Sequence, residues 1–242
     1  MIPPDTIFYG GDIITMDEEL PKAEAVAILD KVILSVGSVE DVFALATENT
    51  KFIFLNKQTL MPGFIDPHQH AITSAEMRAT FVNIGALEWD KRPTYQDVHD
   101  KMINTIDGLQ DCDWGLFFAW DPELIPTLPK LSATFLDENI SSKYPIFVVG
   151  QNGHVAWINT LALQKAGITD TTEQPDGGTS VKDPETGQPT GQLFEGPAFM
   201  PVIHLIPPPS AEVIKNAFKE QWKIYASVGL TTVTDMAYSP NP

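Results

Sequence analysis

The sequence predicts an α/β fold built on a parallel sheet, and three observations point to it. Short apolar, β-branched runs alternate with amphipathic helical stretches over most of the chain. The helical run Ser210–Val228 passes through Gly229 directly into the strand-like run Leu230–Asp235, a helix-to-strand unit with almost no loop. At Pro62-Gly63 the texture changes, from a β-rich first sixty residues to mixed elements.

In order along the chain, Thr6 to Thr15 is apolar and β-branched around Gly10-Gly11, and reads as a strand. Ala25–Leu29 and Val32–Val36 flank Asp30-Lys31, a hairpin tip. Ser38-Val-Glu-Asp41 has the pattern of a capping box and predicts a short helix over Val42–Ala46. Lys51–Leu55 is a further strand, and Phe64-Ile65 a short buried one. Thr94-Tyr-Gln-Asp97 caps a helix whose apolar side is Val98, Met102, Ile103, Ile106 and Leu109. Trp114–Trp120 and Pro145–Gly150 are apolar and strand-like, and Ile158–Ala166 predicts a helix closed by Gly167. Residues 173–191, rich in Pro, Gly, Asp and Thr, form a loop or hairpin excursion. Ser210 caps the last helix, whose stripe of Ile214, Ala217, Phe218, Trp222, Tyr225 and Val228 is interrupted by Gln221.

With 242 residues and 43% apolar content, the chain can bury a real core. Its formal net charge is −17, with 32 acidic against 15 basic residues, which disfavours nucleic acid and membrane surfaces as partners and leaves a small molecule. The single cysteine, Cys112, excludes an intrachain disulfide and a cysteine-based zinc cluster, so a metal would rest on histidines and carboxylates. The N-terminus lacks a signal-peptide pattern and no run approaches the ~18 apolar residues of a membrane span, so the expected location is cytoplasmic.

The most informative segment is Asp66-Pro67-His68-Gln69-His70. Residues two apart on a strand share a face, with Cβ atoms ~7 Å apart, so His68 and His70 can converge on one ion and Asp66 can join or orient them. Imidazole nitrogens bind zinc at about 2.0–2.1 Å and suit iron and nickel as well. Five histidines in 242 residues give this spacing by chance about 0.1 times, so the pair carries information beyond composition.

LMPGFIDPHQH is similar to the signature of the amidohydrolase superfamily, and further segments resemble its family 3 branch. These are FFAWDPELIPTLPKLSATFLD, PIFVVGQNGHVAWINTLALQKAGI, PDGGTSVKDPETGQPTGQLFEGPA and GLTTVTDM, which occur in family order over nearly the whole chain. The resemblance implies a TIM-like (β/α) barrel, incomplete here, preceded by strands of a small β-sandwich. Residues 1–61 would supply those strands, and residues 62–242 the first part of the barrel with an insert at about 75–200. It implies a divalent metal, zinc first among the candidates, with one or two ions in the complete protein. It also implies that further histidines, an aspartate and a bridging lysine lie beyond residue 242, so that the chain reads as an N-terminal portion. The implied reaction is hydrolysis of a non-peptide carbon–nitrogen bond of amide, cyclic amide or formamide type by metal-activated water. The alternative is a catalytically silent fragment, or a binding or regulatory partner. Either way a homo-oligomer or a complementary C-terminal portion is an expected partner.

His68 and His70 are the expected metal ligands. His154, past the strand Pro145–Gly150, is a catalytic candidate, or else a histidine capping the next helix. Glu195 is a metal-ligand candidate that could instead orient a ligand histidine or serve a structural salt bridge. Asp235, at the end of a strand, is a catalytic candidate or an N-cap. Trp120 and Asp121 are substrate-binding candidates, or core and turn respectively. His99 and His204 are assigned no ligand role.

Overall fold

A computed structural model describes residues 2–236. In chain order they form β1 (Thr6–Ile14), β2 (Lys22–Leu29), β3 (Val32–Gly37), α1 (Val39–Phe43), β4 (Lys51–Phe54), β5 (Thr59–Leu60) and β6 (Phe64–Gln69). There follow α2 (Ala71–Thr80), β7 (Val82–Asn83), α3 (Tyr95–Asp107), β8 (Gly115–Trp120), α4 (Ala133–Asn139), β9 (Ile146–Gly150) and β10 (Val155–Ile158). The chain continues through α5 (Thr160–Ala166), β11 (Thr179–Lys182), β12 (Pro189–Phe194), α6 (Gly196–Ile203), α7 (Ala211–Ser227) and β13 (Leu230–Asp235). These residues divide into two compact units, one of residues 2–69 and 225–234, the other of residues 70–224 with Asp235 and Met236.

The first unit carries a sheet of order β3-β2-β1-β4, with β5 alongside β1. Strand alternation sorts its side chains: Ile7, Ala25 and Ala27 pack with Val42 of α1 on one face, while Ile13, Val26 and Leu55 cluster on the other. The helix starts earlier than the sequence suggests, because Ser38 caps it directly by accepting from Asp41 N–H at 3.1 Å. β6 pairs with β13 in a separate two-stranded sheet. A side chain at position 63 would collide with Thr231, so Gly63 is what lets the two strands approach. Contrary to expectation, Phe64 and Ile65 are not buried among the described residues: they are 52% and 68% exposed. An apolar run alone does not say which surface covers it.

The second unit is built on a six-stranded sheet of order β11-β12-β10-β9-β8-β7. It is mixed rather than parallel throughout: β7, β8 and β9 run parallel, while β9, β10, β12 and β11 are successive antiparallel neighbours. Both faces are covered, which is why Ile146-Phe-Val-Val-Gly150 is buried at every position. Ile146 and Val148 face a cluster with Val98 and Met102 of α3, whereas Phe147 and Val149 face Phe199 and Val202 of α6. Ile158, expected to open a helix, ends β10 instead. Asn159 then caps α5, and Gly167 closes it in the left-handed conformation at φ 67° as expected. The 173–191 excursion is a hairpin formed by β11 and β12. Ser210 caps α7 by accepting from Val213 N–H. No helix among the described residues is long and apolar enough to cross a membrane.

Candidate functional site

The expected metal segment ends β6. The strand stops at Gln69, so Asp66 and His68 lie within it, while His70 (φ −121°, ψ 61°) stands at the N-cap of α2. In the first unit, Asp66 accepts from His68 N–H at 3.1 Å and from Gln69 Nε2 at 2.7 Å, and Gln69 Oε1 accepts from Tyr225 OH at 3.2 Å. The Gln69 amide, followed by His68 N–H, holds the Asp66 carboxyl below its ordinary value of 3.8. Asp66 is therefore ionised at neutral pH and braces the end of the strand that presents His68.

In the second unit, His70 Nδ1 lies 3.1 Å from Met236 O, just past the end of β13. The tautomer with Nδ1–H donating to that carbonyl leaves Nε2 as the electron-pair nitrogen, the form a metal takes. Neighbouring Asp235 does what the first turn of α2 cannot: that turn holds no acidic residue and His70 makes no side-chain cap. Asp235 Oδ2 accepts from Ile72 N–H at 2.7 Å, placing its charge at the helix N-terminus. The N-cap role expected of Asp235, for the element that follows it, lies outside the described residues; here its carboxylate meets the N-terminus of a helix far upstream in sequence.

His154 and Glu195 come together although 41 residues separate them. β10 pairs with β12 with Val155 opposite Phe194, and one further step of that register sets His154 opposite Glu195. Glu195 N–H donates to His154 O, and His154 Nδ1 meets Glu195 Oε2, both at 2.9 Å. The side chains stay 69% and 50% exposed, so the pair is open to a ligand. A carboxylate on Nδ1 fixes the ring and presents Nε2 outward. Glu195 holds φ 66° and ψ 157°, a conformation that non-glycine residues seldom enter.

The other expected residues are placed differently. Trp120 is 3% exposed in the core beside Phe117 and Ile125, and Asp121 accepts from Glu123 and Leu124 N–H to close a turn. Neither lines the large cavity of this unit, about 1240 Å³, whose wall includes His70, Asn83, Gln151 and Asn152. His204 is the C-cap of α6, and His99 Nε2 lies 3.0 Å from Asn139 O. Sequence reading passed over Asn159. Fully buried, it accepts from Ile146 and Ala162 N–H and donates to Ser141 O and Tyr144 O, fixing the start of β9 and of α5. Among the described residues no three His, Cys, Asp or Glu side chains gather as a metal site.

The sequence model of the amidohydrolase family matches residues 52–241. The chain is 32% identical over 236 residues to Protein LONG AFTER FAR-RED 3 of Arabidopsis thaliana, covering 97% of this chain and 39% of that protein. It is likewise 32% identical over 226 residues to YtcJ of Bacillus subtilis (strain 168), an amidohydrolase by name, covering 93% and 41%. Among solved structures it resembles an uncharacterized metal-dependent hydrolase from Pyrococcus horikoshii OT3, with TM-score 0.59, 18% identity, and 96% and 42% coverage. The chain spans about two fifths of the length of these relatives.

Proposed function

The chain belongs to the amidohydrolase family, and from that premise we propose that the protein is a metal-dependent hydrolase of a non-peptide carbon–nitrogen bond, of amide, cyclic amide or formamide type. The observation that carries this reading is the convergence at the end of β13. His70 turns Nδ1 to Met236 O, and Asp235 sits on the N-terminus of the helix that His70 opens. Functional groups at the C-terminal ends of successive strands are what a β/α barrel supplies. In this reading residues 62–242 begin such a barrel, with an insert at about 75–200, and residues 1–61 contribute to a small β-sandwich.

His68 and His70 are the metal ligands this chain provides, with Asp66 bracing His68. Two imidazoles fit zinc by donor type, and a catalytic zinc carries about three protein ligands, so further donors complete the set. Bound there, a divalent metal supplies Lewis acidity and hydroxide at neutral pH. Glu195 holds His154 with Nε2 toward the substrate side, where it stabilises charge or takes a proton as the carbonyl reacts. Glu195 could alternatively reach the metal itself, and Asp235 orients the segment between His70 and its helix. The test is metal content by elemental analysis of the complete protein, against the double variant His68→Ala/His70→Ala. About one or two zinc equivalents lost on substitution is the expected result; unchanged content overturns the proposal.

A further inference from the structure

One face of α2 lines the cavity of the second unit, and we propose that it carries a carboxylate-recognition site, Arg78 held by Gln221, selecting substrates with an anionic end. This extends the hydrolase reading of His70 to a substrate class and rests on that reading.

His70, Thr73, Ser74, Met77, Arg78 and Phe81 all line the cavity. Steps of three and four residues put them on a single helical stripe. Eight residues from His70 to Arg78 amount to about 12 Å of helix axis at about 1.5 Å per residue. One wall thus carries a candidate metal ligand at one end and a guanidinium two turns away. Phe147, Val149 and Phe199 give the same cavity an apolar surface.

Gln221 is the residue that breaks the apolar stripe of α7. It is only 6% exposed, and its Oε1 accepts from Arg78 Nε at 3.4 Å. An amide in a buried stripe costs stability unless it is used, and a leucine would pack there without that cost. Its engagement at Nε leaves the terminal nitrogens of the guanidinium to meet a carboxylate two-pronged. Among the described residues no carboxylate pairs with Arg78, in a chain holding 32 acidic residues against 15 basic ones. The cavity's other cation, Lys101, packs over the Trp89 ring at 5.2 Å; of the two glutamates on the wall, Glu88 is taken by Asn83 Nδ2 at 2.7 Å, and Glu76 forms no ion pair with Arg78. The ligand that fits is an amide whose apolar body ends in a carboxylate, several bonds from the reacting carbonyl.

The experiment is calorimetric titration of the complete protein, stripped of metal and loaded with zinc, using 4-phenylbutyrate and its uncharged counterpart 4-phenylbutanol. We expect the acid to bind about tenfold or more tightly than the alcohol in both states, the strength of a charge-assisted hydrogen-bonded pair. Arg78→Met should abolish that preference while leaving alcohol binding intact. Gln221→Leu, a packing-compatible change, should weaken the acid alone by about threefold or more. Equal binding of the two probes, or a preference that survives Arg78→Met, overturns the proposal. So does a preference that appears only with zinc and vanishes in His70→Ala, which assigns the carboxylate to the metal. Zinc uptake is measured separately. Protein that binds no zinc yet keeps an Arg78-dependent preference refutes the hydrolase site alone, and the converse refutes the anion site alone.

Discussion

Glu195 occupies backbone space that glycine enters freely and other residues enter at about 1–3 kcal/mol. Its exposed contact with His154 returns little of that, since open ion pairs contribute about 0–1 kcal/mol. Glu195→Gly should therefore stabilise the fold by about 1 kcal/mol in urea denaturation, after the extra chain entropy of glycine is subtracted. An unchanged or lower midpoint would show position 195 to be unstrained. The same variant removes the group that orients His154. Each of these residues could be suspected from sequence, because each follows a strand-like run. Their partnership could not, because it depends on the β10–β12 register, and the intervening stretch reads only as a loop or hairpin. Asn159 escaped notice for a related reason: its four partners come from three separate segments.

At the scale of elements, α3 shows what local sequence does specify. Thr94 and Asp97 form a reciprocal capping box, with Asp97 Oδ2 accepting from Thr94 N–H and from Thr94 Oγ1, both at 2.7 Å. The Thr94 hydroxyl first, then its N–H, hold the Asp97 carboxyl below its ordinary value of 3.8. A carboxyl depressed in the folded state contributes stability above that ordinary value and loses it as the pH falls through the folded value. The stability advantage of wild type over Asp97→Asn should thus be full near neutrality and shrink below pH 3.8, as read from urea midpoints across a pH series. A difference constant down to pH ~2 would refute the cap as its source. Gly167 and Ser210 were legible in the same way, since caps act within one turn. Ile158 was misread because Val-Ala-Trp-Ile suits a strand or a buried helix equally well until Asn159 is seen capping the next element.

For the molecule as a whole, charge is the dominant long-range term. Lys22–Asp12 and Lys223–Glu220 are exposed pairs and do little to offset a net −17. Raising NaCl from about 0.01 M to about 1 M shortens the screening length from about 30 Å to about 3 Å. The melting temperature should rise over that range by calorimetry, as self-repulsion is damped. A fall would mean that attractive pairs outweigh the repulsion. The α/β class was legible because strand and helix periods differ locally. The mixed sheet was not, because strand direction is set by which distant segments pair, as with β10 between β9 and β12.

The cap on α2 links two distant segments of the chain in time as well as in space. Asp235 follows Ile72 by 163 residues. At about 5–20 residues per second of synthesis, the first turn of that helix leaves the ribosome roughly 8–33 seconds before the carboxylate that completes it. During that interval His70 and the helix it opens exist without their closing partner. A nascent chain stalled just short of residue 235 would expose Ile72 N–H to exchange with solvent, and one stalled well beyond it would protect that amide.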